Sequence, residues 1–256
     1  METCYLLNLG LTSYQDALDL QSQLVQLRRY EKIPDMLVLL EHPSVLTFGK
    51  RAHSEEYKRR VAKIPYEELI ERFQLFDISR GGSVVCHEPG QLVGYTIVDY
   101  TALTQRTGWK SRLLRFSVKG LNLIAGLEET MIKTAANYGV EAVRKPADRH
   151  SLRNIGVWYL NGGVYKLGYT GVDIHAFPER RVTEHGFALN VNNDLSTFDV
   201  VHSCGLTDKE DITISRILGR QLPMDDVRKV TAINFAEVFG YGMEEVENIH
   251  RLVKGI

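Results

Sequence analysis

Three segments of this chain hold residues whose types and spacing could do chemistry. From Arg80 to Gln91 it reads Arg-Gly-Gly-Ser-Val-Val-Cys-His-Glu-Pro-Gly-Gln. Paired glycines admit positive φ and let a ligand approach the backbone, while Pro89 removes a donor and directs the chain's exit. The glycine pair alone would also fit an ordinary turn. Arg80, His87 and Gln91 add a fixed cation, a titratable imidazole and an amide around the same irregular stretch. The second segment carries Lys166 between Gly163 and Gly168, in a run expected to be a half-buried strand. An ammonium there is costly unless it faces a pocket or a partner, or unless the side chain snorkels from an edge. The third has Glu184-His185-Gly186-Phe187-Ala188 interrupting a strand pattern, followed by Cys204 against Gly205. Cys204 reads either as a nucleophile or as a small buried hydrophobe, and Cys86, beside His87, reads more readily as the latter. Cys86, His87, His202 and Cys204 lack finger or ribbon spacing, so no metal site is expected.

The elements that must position these residues alternate irregularly. Cys4 to Leu9, Met36 to Leu40 and Val45 to Phe48 read as short strands, and Leu92 to Val98 as an apolar, β-prone run. Ser13, with Asp16 three residues on, opens a helix to about Arg29. The longest helical pattern runs from about Ser111 to Tyr138, with Leu114, Val118, Leu121, Ile124, Met131 and Ala135 on one face and Gly139 at the stop. Ile155 to Tyr159, Tyr165 to Ile174 and Val182 to Val191 read as successive antiparallel strands bounded by turns. Helical pattern returns from about Asp211. With no repeat, linker or low-complexity tract, residues 1–256 are expected to form one α+β domain, with room for a small helical C-terminal extension from about 211.

Composition excludes several classes. The chain has 256 residues, 44% hydrophobic and 25% charged, enough for one substantial core without staples. Three cysteines, Cys4, Cys86 and Cys204, make no disulfide framework and suggest a reducing, cytoplasmic setting. No leader is expected before Met1 to Gly10, and no apolar run approaches the roughly 18 residues of a membrane span. A formal net charge of −1 argues against bulk nucleic-acid or membrane-surface binding. Local basic runs, Lys50-Arg51, Lys58-Arg59-Arg60 and Arg144 to Arg153, could still meet an acidic partner.

Taken together, the motifs resemble the lipoyl(octanoyl) transferase family. The resemblance extends from Glu41-His42-Pro43-Ser44-Val45-Leu46-Thr47-Phe48-Gly49 to Cys204-Gly205-Leu206. Its most specific elements are Arg80-Gly81-Gly82 with His87-Glu88-Pro89-Gly90-Gln91-Leu92, then Gly156-Val157-Trp158, Lys166, His185-Gly186-Phe187-Ala188-Leu189-Asn190-Val191, Asp194-Leu195-Ser196 and Cys204-Gly205. It implies a mixed sheet flanked by helices, like the catalytic domains of biotin and lipoate protein ligases. The implied activity moves an octanoyl group from octanoyl-acyl carrier protein to a lysine of a lipoyl domain. The implied acceptors are the lipoyl domains of 2-oxoacid dehydrogenase E2 subunits and the glycine cleavage H protein.

The resemblance further implies Cys204 as nucleophile and Lys166 as the cation that favours its thiolate and later takes a proton from the acceptor amine. The acyl slot would be lined by Arg80, Gly81, Gly82, Ser83, Val84, Val85, Cys86 and His87, by Tyr169, Thr170 and Gly171, and by His185, Gly186, Phe187 and Ala188. The two histidines would shape its wall. Thioester exchange followed by aminolysis requires no cofactor, ATP or metal. Three departures from the family pattern touch the slot: Glu88 in place of glycine, Ser203 in place of proline, and Gly168-Tyr169-Thr170-Gly171 in place of a smaller, more apolar run. The turn at His175 to Arg180 is also longer than the pattern. An ATP-dependent lipoate or biotin ligase, a non-catalytic acyl-binding protein and a Cys-His hydrolase remain open as alternatives.

Overall fold

Ser13 acts as its position predicts. Its hydroxyl oxygen accepts from the Asp16 N–H (3.1 Å), satisfying one of the orphan donors at the start of helix α1 (Tyr14–Arg29). A computed structural model describes residues 1–107, 121–145, 154–202 and 210–247. Before α1 lies strand β1 (Glu2–Leu11), and after it β2 (Asp35–Glu41), which pairs parallel to β1. Strand β2 is buried on both faces, as its unbroken apolar run requires: Met36, Val38 and Leu40 enter one core, and Leu37 and Leu39 the other.

A small three-stranded sheet follows. Strand β3 (Val45–Phe48) lies between β4 (Gln74–Asp77), parallel, and β5 (Val84–His87), antiparallel. The short helices α2 (Glu55–Val61) and α3 (Tyr66–Arg72) connect β3 to β4. The chain then returns to the main sheet through β6 (Gln91–Ile97), antiparallel to β2, and leaves it in helix α4 (Tyr100–Arg106).

Helix α5 (Leu121–Asn137) buries Leu123, Leu127, Met131 and Ala135, a four-residue spacing that forms a single stripe. It ends before Gly139, as expected, and the part of the expected helix before Leu121 lies outside the described residues. Strands β7 (Ala142–Arg144), β8 (Val157–Tyr159), β9 (Tyr165–Ala176) and β10 (Arg181–Asn190) are antiparallel neighbours, with β10 also antiparallel to β6. Strand β11 (Glu210–Asp211) pairs parallel with the start of β9.

The region from Asp211 is not wholly helical. Helices α6 (Ile214–Leu218) and α7 (Met224–Phe239) fit that expectation, but β12 (Tyr241–Glu245) then adds a parallel edge strand beside β1. Among the described residues the main sheet has nine strands, ordered β12-β1-β2-β6-β10-β9-β8-β7, with β11 beside β9. Helix α1 and the small sheet cover one face of it, and α5 and α7 the other. The result is the mixed sheet flanked by helices of an α+β fold.

Candidate functional site

The floor of the site is set by strand register. Tyr169 of β9 stands opposite Ala188 of β10, which stands opposite Val93 of β6; one row further along come Gly171, Gly186 and Tyr95. Period-two alternation puts these side chains on the face covered by α1 and the small sheet. Between that floor and Tyr14, Arg80, Val85 and His87 lies a cavity of about 30 Å³. That is room for a water or two, so a longer ligand enters only when the lining side chains move apart.

Arg80 closes one end. Its guanidinium is buried, donating to Thr47 O and Oγ1 (both 2.8 Å) and to Gly81 O (3.0 Å). The arginine stem runs across Gly171, where a Cβ would sit 2.9 Å from Arg80 Cδ. Glycine is therefore required there by close approach. The Gly81 N–H donates to Val172 O (3.2 Å), which ties the loop to β9.

The imidazoles and the Tyr14 phenol around the cavity are held neutral. Burial lowers the His185 imidazole to about 4 and pushes the Tyr14 phenol up to about 12. The His87 imidazole is held well below its usual value by burial and then by the neighbouring His42, and its Nδ1 donates to Gln91 Oε1 (2.7 Å). Behind the wall, His42, lowered by burial to about 4, donates from Nδ1 to Thr12 O (2.8 Å) and accepts at Nε2 from the Tyr95 hydroxyl (2.7 Å). Imidazoles this hard to protonate are poor bases at neutral pH, and shape the cavity instead.

Lys166 does not line the cavity; it stands beside Tyr169, which does. The lysine is buried, and its Nζ donates to Ile155 O (2.7 Å) while standing 4.8 Å from the Trp158 ring and 4.9 Å from the Tyr169 ring. Gly156 makes the space: at φ +120 it takes a conformation that side chains resist, and a Cβ there would come within 2.8 Å of Lys166 Cε. The Gly156 N–H donates to Glu128 Oε1 of α5 (2.6 Å), and Glu128 Oε2 meets Arg144 Nε (3.2 Å). Burial raises the Glu128 carboxyl, opposed by the Gly156 N–H, Arg144 and Lys166.

The chain around Cys204 is described only at its flanks, and Ser203 and Cys204 themselves lie outside the described residues. On one side the His202 N–H donates to Val61 O (2.8 Å); on the other, Asp211 is registered against Lys166, whose carbonyl accepts from Ile212 N (3.1 Å). Glu88 supports the approach to this segment. Its buried carboxylate accepts from Asn193 Nδ2 (2.9 Å), Leu195 N (2.7 Å) and Thr197 N (2.9 Å). Asp173, His175 and Glu184 group closely enough for a metal, but His175 Nε2 is 2.8 Å from Glu184 Oε2 and Lys50 Nζ is 2.8 Å from Asp173 Oδ1, an arrangement of mutual ion pairs.

Residues 13–236 match the lipoyl protein ligase A/B catalytic domain family. The chain belongs to that family. The octanoyltransferase of Solibacter usitatus is 36% identical over 245 residues, covering 95% of this chain and 96% of the relative. That of Rubrobacter xylanophilus is 37% identical over 239 residues, covering 90% and 91%. Among solved structures, a putative lipoate protein ligase from T. acidophilum with bound lipoic acid superposes with a TM-score of 0.67 at 14% identity, covering 99% of this chain and 92% of that one. This last likeness establishes the fold.

Within this family member, the cavity gathers ten of the residues named from sequence: Arg80, Val85, His87, Tyr169, Thr170, Gly171, His185, Gly186, Phe187 and Ala188. Gly81, Gly82, Ser83, Val84 and Cys86 do not line it. Cys86 is buried in the apolar core, and Ser83 Oγ is 2.5 Å from the Tyr57 hydroxyl. The Phe187 ring, unlike that of Tyr169, belongs to the core on the opposite face, laid over Gly94; the cavity side of the sheet receives the Phe187 main chain. Tyr14, Val93 and Tyr95 complete the lining without having been singled out from sequence. A tyrosine within the apolar run Leu92 to Val98 was a usable signal, because a buried hydroxyl needs a partner. Tyr14 and Glu128 carried none, since both reach the site only through tertiary packing. In the basic runs noted from sequence, Lys50 pairs with Asp173, Arg144 with Glu128 and Glu129, and Lys145 Nζ stacks 4.2 Å from Trp158, while Arg149 and Arg153 lie outside the described residues.

Proposed function

We propose that this chain transfers an octanoyl group from acyl carrier protein, through a thioester on Cys204, to a lysine of a lipoyl domain. Octanoyl transfer in lipoylation rests on the family and on relatives named octanoyltransferase. The observation that carries the covalent route is the contrast between the cavity's wall histidines and the lysine beside Tyr169. The wall histidines are neutral, whereas Lys166 presents a buried ammonium beside the ring of Tyr169. A cation in that setting favours a thiolate over a thiol.

The proton balance closes over two steps. The Cys204 thiolate attacks the octanoyl thioester carbon, the carrier's sulfur leaves, and the Lys166 ammonium gives it a proton. The acceptor lysine, arriving as a neutral amine, then attacks the acyl-cysteine. Its proton passes to the now neutral Lys166, the Cys204 thiolate departs, and the resting pair is restored. Neither step consumes ATP.

The proposed acceptors are the lipoyl domains of 2-oxoacid dehydrogenase E2 subunits and the glycine cleavage H protein, and the proposed setting is the cytoplasm. No described helix is long and apolar enough to cross a membrane. Incubation with octanoyl-acyl carrier protein and intact-mass measurement should give a single octanoyl adduct that maps to Cys204 and disappears on addition of a lipoyl domain. An unmodified chain that nonetheless transfers octanoate, or transfer that requires ATP, would overturn the covalent route.

A further inference from the structure

The peptide group joining Ile155 to Gly156 is held between two buried charges. Its carbonyl accepts from Lys166 Nζ (2.7 Å), and its N–H donates to Glu128 Oε1 (2.6 Å). A carboxylate on the N–H and an ammonium on the carbonyl polarise an amide in the same sense, so each bond strengthens the other. Glu128 is on α5, Gly156 leads into β8 and Lys166 is on β9, so this one peptide links three elements.

We propose that Glu128 is a positioning residue for Lys166, acting through the Ile155–Gly156 peptide to hold the lysine in place and in its protonated form. The proposal rests on the role given above to Lys166. Glu128 is buried, and the Ile155–Gly156 peptide bridges it directly to the lysine. Gly156 fits the same assignment. With φ +120 and no Cβ, it allows the N–H to reach Glu128 while the Lys166 stem passes beneath.

Among the described residues, these charged and titratable groups face this region. Glu128 and Glu129 come from α5, with Glu128 feeling the field of Lys166. Arg144 on β7 bridges both acids, Lys145 and Lys166 sit over Trp158, and Asp211 of β11 accepts from the Tyr169 hydroxyl. Removing the Glu128 charge takes away a field that favours the ammonium, so the lysine should lose its proton more readily. Removing the Arg144 charge takes away an opposing field, and should act in the reverse direction.

The test compares full-length wild type, Glu128→Gln, Arg144→Met and Lys166→Met. Transfer of octanoate from octanoyl-acyl carrier protein to a lipoyl domain is followed from pH 6 to pH 10, with thermal melts alongside. Glu128→Gln keeps an acceptor for the Gly156 N–H but loses the charge. It should move the alkaline limb of kcat/KM down by about half a pH unit or more, with kcat reduced more than KM is raised. Arg144→Met should move that limb up, which keeps the proposal testable if the Gln variant folds poorly. Lys166→Met should abolish the limb along with most of the rate. If Lys166→Met is nearly dead while the limbs of both other variants superpose on wild type, the Glu128 proposal is overturned and the lysine's role stands. If Lys166→Met transfers octanoate as fast as wild type, the role of the lysine falls, and this proposal with it.

Discussion

Ala188 offers the sharpest test of where the acyl chain lies. It stands in the middle of the cavity floor, between Tyr169 and Val93, and has the smallest side chain in that row. Each buried methylene contributes ~0.8 kcal/mol, so a hexanoyl donor, two methylenes short, should lose ~1.6 kcal/mol against octanoyl, roughly 15-fold in kcat/KM. Replacing Ala188 with leucine adds three carbons to the floor and should displace about three chain methylenes, costing the octanoyl donor ~2.4 kcal/mol, or roughly 60-fold. The hexanoyl donor already lacks two of those methylenes. It should lose only ~0.8 kcal/mol, about 4-fold, bringing the octanoyl-to-hexanoyl ratio from roughly 15 to roughly 1. The assay is steady-state transfer from both donors, with a thermal melt to detect overpacking, which costs ~1–3 kcal/mol where the added carbons meet no free space. A chain-length ratio that is unchanged in Ala188→Leu, in a folded protein, would show that the acyl chain does not cross this floor.

Three further outcomes follow from the geometry. Lys166→Met should slow iodoacetamide alkylation of Cys204 near pH 7 by about 10-fold, the result of raising a thiol by one unit; an alkylation-versus-pH curve identical to wild type would remove the ion pair. Glu88→Ala strands the N–H groups of Leu195 and Thr197 and the amide of Asn193, and should cost ~3 kcal/mol, roughly 6–12 °C in Tm; a melt within 2 °C or so of wild type would contradict that. His42 and His185 titrate at about 4 in the fold against 6.5 in the free side chain, so between those pH values the unfolded chain binds more protons and stability falls as pH falls. Each histidine should account for on the order of 3 kcal/mol across that window; a Tm that stays level from pH 6.5 to pH 4 would show that neither is buried as described.

Much of this fold is legible wherever a local pattern is also a structural requirement. Met36 to Leu40 is apolar without alternation because both of its faces are covered, and Tyr165 to Val191 carries turn residues just where the hairpin reverses. The edge strands Gln74–Asp77, Ala142–Arg144 and Tyr241–Glu245 are too short to establish a period, and exist because a neighbouring strand is there to pair with them. The seven-residue helices α2, α3 and α4 are hidden for the same reason. In the site, glycine and charge named Arg80, Lys166, Gly171 and Gly186, since each is costly outside a close approach or a pocket. Side-chain direction was harder to read. Phe187 and Ala188 are adjacent in β10 and so point to opposite faces, but only the pairing of Ala188 with Tyr169 tells which of them meets the cavity. His185 blurs the parity further by taking positive φ (64°) in mid-strand.

The distribution of charge along the cavity gives the acyl chain a direction. At the Arg80 end the guanidinium is occupied by Thr47 and Gly81, and the imidazoles and phenols nearby are neutral and largely bonded to one another. A chain terminus that arrives there has no need to supply a hydrogen bond, and a methyl group loses little hydration on entering. Beside Tyr169 stands Lys166, where a thioester carbonyl and a sulfur anion would both gain from a cation. Entry tail first, with the reacting carbon stopping beside the lysine, satisfies both ends at once. The reverse orientation would set a reacting carbonyl among neutral rings and an alkyl terminus against a buried ammonium, and would leave the Lys166 charge unused.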